Sequence, residues 1–482
     1  MHPSPSVNGT EDTRCSCPRS GASRCRSYRL DGPTRLLRSI VSASALMALV
    51  TTFVVVTGAP AHSQVPVSVI ADVETPAVFG DEAGDNADAD DPAVWVDPQD
   101  SGRSIVIGTL KEAGLDVYGL DGKRLQHLAA PEAPREGASA GRFNNVDVIY
   151  GFELGGKKTD LALVSDRGRD RIRAYAIDPA AVAAGEPPLK DVTAPNVTPV
   201  FASSESEVDE QRTSYGLAAF SDDDDAYVVV SQRNESRLRL LELKDRGGKV
   251  GYQREDTLRL PGTFGLPNGA SWTPCADPGE FPQVEGMAVD TEEGVLYAAQ
   301  EAVGLWRIEL DDEEFESPRL IDRVREYGTP WTYDENADEE CVLDTDNDPG
   351  FGGEHLSADA EGVTIYHAED GTGYVLASSQ GDNTFAVYAR EGDNAHLGNF
   401  AIKDGPAIDG VQHSDGSTVV NVPLGDAFPK GLLITHDGEA SPADPDRGDS
   451  TNFKFTRWDA VAGAFPRPLV VDTDSFDPRR AD

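Results

Sequence analysis

Ala226-Tyr-Val-Val-Val-Ser231, a short polar loop, and then Arg237-Leu-Arg-Leu-Leu-Glu-Leu243 form the unit that decides the fold of this 482-residue chain. The first run is mostly apolar, and the second begins with strict alternation of Arg and Leu. Runs of four to eight residues with this period of two, separated by Gly, Asn or Asp, are typical of antiparallel β-strands. The stretch therefore predicts two strands joined by a polar loop.

The same two-strand pattern recurs along the chain, with first strands that begin near residues 105, 161, 227, 296, 374 and 432. The copies are Ser104–Leu110 with Leu115–Leu120, Asp160–Ser165 with Arg171–Ile177, Ala226–Ser231 with Arg237–Leu243, Val295–Gln300 with Val303–Leu310, Gly373–Ser378 with Thr384–Arg390, and Gly431–Thr435 with Asn452–Trp458. The one short helical piece is Ala-rich, at Pro179–Ala184. Six irregular copies predict an all-β fold, a six-bladed β-propeller of four-stranded antiparallel blades around a central channel. A pair of β-sandwiches or a β-helix stays open as the alternative.

The charge of the chain argues against nucleic acid as a partner. Asp and Glu number 84 against 42 Lys and Arg, so the net charge is −42 at pH 7. Nucleic-acid binding depends on Lys and Arg that neutralise phosphates, and this chain has an excess of the opposite sign.

The first 63 residues have the order of a secretion signal. Seven Arg lie within residues 1–39, and an uncharged apolar run follows at Ile40–Gly58, before Ala59-Pro60-Ala61. A basic start, an apolar run and a small-residue cleavage site define a signal peptide. We therefore expect a secreted protein in which residues 64–482 form one domain and no stable membrane partner remains after cleavage. The alternative is an uncleaved membrane anchor, since about 19 apolar residues can just span a bilayer.

Two cysteines, Cys275 and Cys341, remain beyond the predicted signal. In an oxidising compartment two cysteines suggest one disulfide bond. Two free thiols remain the alternative.

The sequence offers no candidate for a covalent nucleophile. Gly137-Ala-Ser-Ala-Gly141 matches the pattern G-x-S-x-G, but that motif needs a strand before the Ser and a helix after it. Here Pro131 and Pro134 precede it and Phe143-Asn-Asn145 follows, which predicts a loop. Neither mature Cys lies in a phosphate-cradling loop with an Arg.

Carboxylates are instead concentrated beside Gly or Pro at predicted strand starts, where a propeller opens toward its channel. They occur in Asp88-Ala-Asp-Asp-Pro92, Glu285-Gly286, Asp359-Ala-Glu-Gly362, Asp409-Gly410 and Asp415-Gly416. Calcium takes six to eight oxygen ligands from carboxylates, carbonyls and waters, and a neighbouring Gly allows close approach of the backbone. A single Asp-Gly is more often a turn, but the joint occurrence predicts calcium binding.

Several of these segments, taken together and in order, resemble the β-propeller phytases. The resemblance rests on Asp88-Ala-Asp-Asp-Pro-Ala-Val-Trp95, Asn144-Asn-Val-Asp147, Tyr215-Gly216, Glu285-Gly-Met-Ala-Val-Asp290, His355-Leu-Ser-Ala-Asp-Ala-Glu-Gly-Val-Thr-Ile-Tyr366, Ala377-Ser-Ser-Gln-Gly381 and Asn452-Phe-Lys-Phe-Thr-Arg-Trp458. It covers about Val69 to Val471. It implies a six-bladed propeller, expected to be a monomer, that hydrolyses phytate (inositol hexakisphosphate), bound as its calcium complex, with several Ca²⁺ ions and no covalent intermediate.

The resemblance also implies roles for individual residues. The catalytic carboxylates would be Glu285, Glu301 and Asp359, and the phosphate-holding groups Lys111, Arg167, Tyr215 and Arg233. The metal ligands would be Glu74, Asp90, Asp91, Glu285, Asp359, Glu361, Gln380, Asp409 and Asp415, with the carbonyl of Val146.

Two positions depart from the family pattern. Glu112 follows Lys111 where the family often has a second Lys, and Arg233 stands where it often has Lys. The first change reverses a charge, whereas Arg keeps the charge and adds a bidentate fork. Other functions stay open: a propeller phosphatase for another phosphoester, a non-catalytic calcium-stabilised propeller, or a metal-dependent lactonase.

Overall fold

The computed structural model describes residues 65–81, 87–222, 225–311, 313–337 and 340–479. The predicted basic extension and signal peptide, residues 1–63, lie outside the described residues, so cleavage and secretion stay predictions. Among the described residues, no helix has the length and apolar character needed to cross a bilayer. The described chain begins with three short strands: β1 (Val67–Val69), β2 (Val73–Glu74) and β3 (Val78–Phe79).

The rest of the described chain forms six antiparallel sheets, each of which is one blade of a β-propeller. The first blade contains β4 (Pro92–Trp95), β5 (Ile105–Thr109), β6 (Leu115–Gly119) and β7 (Arg124–Leu128). The second contains β8 (Phe143–Leu154), β9 (Lys157–Asp166), β10 (Arg171–Ile177) and β11 (Leu189–Asp191). The third contains β12 (Ser214–Asp222), β13 (Asp225–Gln232), β14 (Arg237–Asp245) and β15 (Val250–Arg259).

Two small hairpins lie before and after the fourth blade. The first hairpin is β16 (Phe264–Gly265) with β17 (Ser271–Trp272). The fourth blade contains β18 (Val284–Asp290), β19 (Val295–Gln300), β20 (Gly304–Asp311) and β21 (Glu314–Arg323), and the second hairpin is β22 (Trp331–Tyr333) with β23 (Cys341–Leu343). The fifth blade contains β24 (Ala360–His367), β25 (Gly373–Ser379), β26 (Thr384–Ala389) and β27 (His396–Ile402), and the sixth contains β28 (Ser417–Val420), β29 (Leu432–Asp437) and β30 (Ser450–Arg457).

Helical structure is limited to short segments in the described part of the chain. These are α1 (Pro179–Ala184), α2 (Glu205–Asp209) and α3 (Trp458–Ala464), with 3-10 turns at Ser101–Arg103, Thr345–Asn347, Glu369–Gly371 and Gln380–Asp382. The helix predicted at Pro179–Ala184 is confirmed as α1: Asp178 caps its first turn, and Gly185 ends it in the left-handed conformation.

The prediction of a six-bladed propeller is confirmed, and the sandwich and β-helix alternatives are wrong. The six predicted strand pairs are the second and third strands of the blades. Every residue of β5, β19 and β25 is buried, because both faces of a blade pack against neighbouring blades. The second strands are thus mostly apolar runs, as in Ala226–Ser231, whereas third strands such as β14 keep the alternation of Arg and Leu.

The N-terminal strands complete the last two blades. β2 pairs with β30, with Val73 opposite Phe455 and Glu74 opposite Lys454, and so supplies the fourth strand of the sixth blade. β1 adds to the fifth blade in parallel with β27. Both ends of the described chain therefore hold the ring closed.

The innermost strands β4, β8, β12, β18, β24 and β28 are neighbours around the ring and line the central channel. They all begin at the same mouth of the channel. At the opposite end, the ring of Phe476 stacks on His367 at 4.1 Å, and the guanidinium of Arg479 lies over the Tyr150 ring at 4.6 Å. The C-terminal segment thus packs against one end of the channel, and the acidic segments lie at the other.

Cys275 and Cys341 form a disulfide bond, so the predicted pairing is confirmed and the alternative of two free thiols is wrong. The bond joins the chain that follows β17 to the start of β23. Two tryptophans support the same connection, since Trp331 Nε1 donates to Thr273 O at 2.7 Å and Trp272 Nε1 donates to Thr329 O at 2.9 Å. The tied loops line a cavity of about 660 Å³ that also contacts Glu301 and Asp359.

We expect the double variant Cys275→Ser, Cys341→Ser to unfold at a lower temperature than the wild type. The disulfide closes a loop with a sequence separation of 66 residues, and such a loop stabilises the folded state by at most about 4 kcal/mol in the chain-entropy model. Thermal unfolding of both proteins without reductant measures the difference. With reductant the two curves should coincide, and a gap that persists would mean that the serines, not the lost bond, destabilise the fold.

Candidate active site

Glycines at the starts of the innermost strands bring neighbouring blades into close contact at the channel mouth. A Cβ atom on Gly286 would lie 2.2 Å from Glu361 O, and one on Gly362 would lie 2.5 Å from Asp415 O. A Cβ on Gly216 would lie 2.0 Å from Glu285 O, and one on Gly416 would lie 2.2 Å from Asp91 Oδ1. Only glycine permits this approach, so the acidic residue beside one glycine is held against the glycine of the next blade.

Three glutamates converge at this mouth. One carboxylate oxygen from each of Glu285, Glu301 and Glu361 lies within 4.8 Å of the others. Glu285 and Glu361 are 6% and 4% exposed, whereas Glu301 is partly buried. Burial, reinforced by the neighbouring negative charges, raises the pKa of each of the three carboxyls. Three close carboxylates favour a bound cation or a shared proton.

Two more of the predicted carboxylates, Asp359 and Asp415, border this cluster together with Gln380. Asp415 O accepts the Gly362 amide at 2.9 Å, and Asp415 Oδ1 accepts the Gln380 side-chain amide at 2.6 Å. The backbone amide of Gln380 donates to Asp359 O at 2.9 Å, and the negative charge of Asp359 is the second cause, after burial, that raises the pKa of Glu301. Asp359, Gln380 and Asp415 therefore belong to the same site as the three glutamates.

The first blade contributes Asp90 and Asp91 from the opposite side. Asp90 is 2% exposed, and burial raises its pKa well above the ordinary value. Asp91 Oδ2 accepts the backbone amide of Val146 at 3.0 Å, which places the predicted carbonyl ligand of β8 beside it. The ammonium of Lys111 lies 2.5 Å from Asp88, 3.6 Å from Asp90 and 3.9 Å from Asp415.

Cationic and hydroxyl groups lie next to these carboxylates. Tyr215 OH donates to Glu285 Oε2 at 2.5 Å, and the guanidinium of Arg167 lies 5.4 Å from the centre of the Tyr215 ring. Arg167 Nη1 also donates to Asn144 Oδ1 at 3.1 Å, and Asn144 Nδ2 donates to Glu285 Oε1 at 2.6 Å. Arg233 is close enough to Arg167 for its charge to lower the pKa of that guanidinium. The site thus combines a carboxylate cluster with cationic groups, Lys111, Arg167 and Arg233, at the same mouth.

The donor set fits a hard cation. Asp90 Oδ2 and Glu361 Oε2 are buried and have no hydrogen-bond partner among the described residues, although buried carboxylate oxygens are normally paired. All the side-chain ligand atoms that the cluster offers are oxygens, which suit a hard cation such as Ca²⁺, Mg²⁺ or Mn²⁺.

Comparison with known proteins gives the relationship of the chain. A sequence model of the phytase family matches residues 36–255 and 325–482. The chain belongs to the phytase family. A curated relative, the 3-phytase of Bacillus subtilis (strain 168), is 33% identical over 398 residues, which cover 82% of this chain and 84% of the relative. Among solved structures, the β-propeller domain of Cps50 (Swd1) from Myceliophteria thermophila matches with a TM-score of 0.31 and 10% identity, over 73% of this chain and 80% of that one.

Two predicted metal ligands of this phytase-family chain, Glu74 and Asp409, lie against the buried ammonium group of Lys454. Lys454, whose side chain is 0% exposed, contacts Glu74 Oε2 at 2.7 Å and Asp437 Oδ2 at 3.2 Å, and it also pairs with Asp409. His436, the residue before Asp437, links this second cluster to the first. Its Nδ1 accepts the backbone amide of Asp415 at 3.0 Å. Glu74 and Asp409 are therefore placed together, around an ammonium group that supplies positive charge.

Besides Lys454 and His436, the sequence prediction for this phytase-family site missed Asn144, Gln283 and Arg142, which lie next to its predicted members. Asn144 bridges Arg167 and Glu285, Gln283 Nε2 donates to both oxygens of Glu301 at 2.9 and 3.0 Å, and Arg142 pairs with Glu112. Asn144 lies in the quoted Asn-Asn-Val-Asp motif, and Gln283 lies two residues before Glu285. Asn144 and Gln283 could therefore have been found from their closeness to quoted motifs, whereas no motif pointed to Arg142.

Proposed function

We propose that this chain is a calcium-dependent phosphomonoesterase that releases phosphate from phytate. The observation that carries the proposal is the junction of Glu285, Glu301 and Glu361 with Lys111 and Arg167 at one mouth of the channel. Family membership and the curated relative, a 3-phytase, support the same reaction. A lactonase or a scaffold has no requirement for cations placed against carboxylates.

The residues that would hold calcium are Asp90, Asp91, Glu285, Asp359, Glu361, Gln380 and Asp415, with the Val146 carbonyl. Calcium, when bound, supplies the positive charge that offsets these carboxylates and polarises the phosphoryl group. The net charge of −42 would otherwise repel phytate. A substrate that arrives as its calcium complex meets less of this repulsion.

The protein's own groups orient the phosphate and handle the proton. Lys111 and Arg167 are placed to bind phosphoryl oxygens as charge shifts toward the leaving group, and Tyr215 holds Glu285 through its hydroxyl. A water that attacks phosphorus must lose a proton. Glu301 is a suitable acceptor because burial and its neighbour Asp359 raise its pKa well above the ordinary value. This direct attack needs no covalent intermediate, consistent with the lack of a candidate nucleophile in the sequence.

We expect residues 64–482, supplied with millimolar calcium, to release phosphate faster from phytate than from p-nitrophenyl phosphate. Phytate offers several phosphates to the cationic groups at once, whereas the reporter offers one. Initial rates of phosphate release on both substrates measure the preference. A faster reaction on the monophosphate would indicate a phosphatase of another specificity, and no turnover of either by the folded protein would leave a binding propeller.

A further inference from the structure

Arg142 is built into the backbone that positions the phosphate-binding groups. The Arg142 carbonyl accepts the Arg167 amide at 2.8 Å, and the next residue, Phe143, donates its amide to the Lys111 carbonyl at 3.0 Å. One step further round the mouth, Thr213 Oγ1 donates to Arg167 O at 2.5 Å, and Thr213 O accepts the Arg233 amide. Arg142 therefore lies between Lys111 and Arg167 in a continuous arc that ends at Arg233.

Within the described parts of the chain, the side chain of Arg142 has one ionic partner, and its Nε is an unused donor. Its Nη1 pairs with Glu112 Oε1, and the two side chains are 20% and 27% exposed. The Nε of Arg142 and the Oε2 of Glu112 are both buried without a hydrogen-bond partner. An ion pair that leaves a buried donor and a buried acceptor unsatisfied is incompletely matched, since buried polar groups are normally hydrogen-bonded.

Three arginines of this arc, Arg142, Arg167 and Arg233, have side chains near enough for their charges to interact. Burial lowers the pKa of Arg167 to about 10, and the charges of Arg142 and then Arg233 contribute to the shift in the same direction. The Nε of Arg167 is also buried without a partner. Like charges gathered at a site with free donors are stabilised by an anion, and Arg presents its donors in a fork that matches phosphate oxygens.

We propose that Arg142 is an additional phosphate-binding residue of this site, and that Glu112 competes with the substrate for it. The inference rests on the proposed function, since it concerns the same polyphosphorylated substrate. In the free enzyme Glu112 holds the guanidinium of Arg142 beside Arg167. A phosphate carries more negative charge than a carboxylate, so a substrate with several phosphates displaces Glu112, whereas a monophosphate held at Lys111 and Arg167 leaves the pair intact. Glu112 is thus a positioning residue that sets the selectivity of the site.

Variants at the two positions, assayed in the calcium-loaded enzyme, test this pairing. Arg142→Gln should raise the KM for phytate about tenfold more than the KM for p-nitrophenyl phosphate, because only phytate loses a charge-assisted hydrogen bond to the guanidinium. Arg142→Lys should recover part of the difference, since it restores charge without the fork. Glu112→Gln should act in the opposite direction and lower the KM for phytate a few-fold. Arg457→Gln is the matched control, because Arg457 forms a comparable pair with Asp459 on the sixth blade.

Equal losses on both substrates, or a loss in kcat with no change in the ratio of KM values, would show that Arg142 acts only as structure. If Arg142→Gln does not fold, the KM of Glu112→Gln decides, and an unchanged value rejects the competition. Calorimetric titration with phytate separates the two levels of the argument. A wild type that neither binds nor hydrolyses phytate overturns the proposed function, whereas a wild type that does both, with variants that match it, overturns only the role of Arg142.

Discussion

Glu285→Gln is expected to lower kcat on phytate by at least about 100-fold, as loss of one preorganised electrostatic group at a reaction centre does. Glu285 lies between the carboxylate cluster and the residues that contact Arg167. Its Oε1 accepts from Asn144 and its Oε2 from Tyr215, and it faces Glu301 and Glu361. Glutamine keeps the volume of the side chain but removes the charge and replaces one acceptor with a donor. The affinity for calcium should therefore fall, and Tyr215 should lose the carboxylate that holds its hydroxyl in place.

Glu316→Gln is the matched control for this variant. Glu316 lies exposed on β21, the last strand of the fourth blade, and Glu285 lies on β18, the first strand of the same blade. Its kcat should equal that of the wild type. The measurement is phosphate release at saturating calcium, with melting temperatures to show that both variants are folded. A Glu285→Gln enzyme that retains more than about a tenth of the rate would place the reaction centre elsewhere.

The sequence predicted the middle strands of each blade better than the innermost ones, for a physical reason. Second strands such as β13 and β25 are buried on both faces, and each contains an unbroken run of seven buried, mostly apolar residues. The innermost strands β18 and β24 instead begin with Val284-Glu-Gly286 and Ala360-Glu-Gly362, in which function places a charged residue and a glycine. These residues break the strand pattern, so the periodicity located the blades but the acidic motifs located the channel.

The strand that closes the ring was beyond prediction from local pattern. β2 is only Val73–Glu74 and pairs with β30, more than 370 residues away. A strand of two residues has no periodicity. The pairing is determined by the circular geometry of the blades, which requires a fourth strand for the sixth blade.

The composition of the site was predicted more completely than its internal pairing. The motifs named Glu285, Glu361 and Asp415 because each stands before a glycine, and the structure brings all three to one mouth. The placement of Lys454 against Glu74 and Asp409 could not be read from the sequence, since it depends on the register of β2 with β30. Arg142 was also missed because its position depends on strand pairing. It precedes β8, and its carbonyl accepts the amide of Arg167, which follows β9.

Removal of calcium with excess chelator is expected to abolish phosphate release and to lower the melting temperature. The activity is expected to fail because the clustered carboxylates repel both one another and the phosphate. Stability is expected to fall because an ion that binds only the folded state stabilises it by about 2.7 kcal/mol at 100 times its dissociation constant. Readdition of calcium, but not of the same concentration of sodium chloride, should restore both. Full activity in chelator would reject calcium dependence and leave the family assignment intact.

The size of this calcium effect should grow as the pH rises. Burial raises the pKa of Asp90, Asp91, Glu301 and Glu361 well above their ordinary values, with neighbouring negative charges contributing in each case. A carboxyl whose pKa is higher in the folded state stabilises the fold below its unfolded pKa, and that contribution is lost as the pH rises through the folded pKa. The calcium-free protein therefore loses stability between acidic and alkaline pH at this site, while calcium binds the ionised form more tightly over the same interval. The difference in melting temperature between calcium and chelator, measured at pH 5 and pH 8, should be clearly larger at pH 8. An equal difference at both values would mean that these carboxylates do not bind the ion, and the stabilising site would then have to be sought outside the channel mouth.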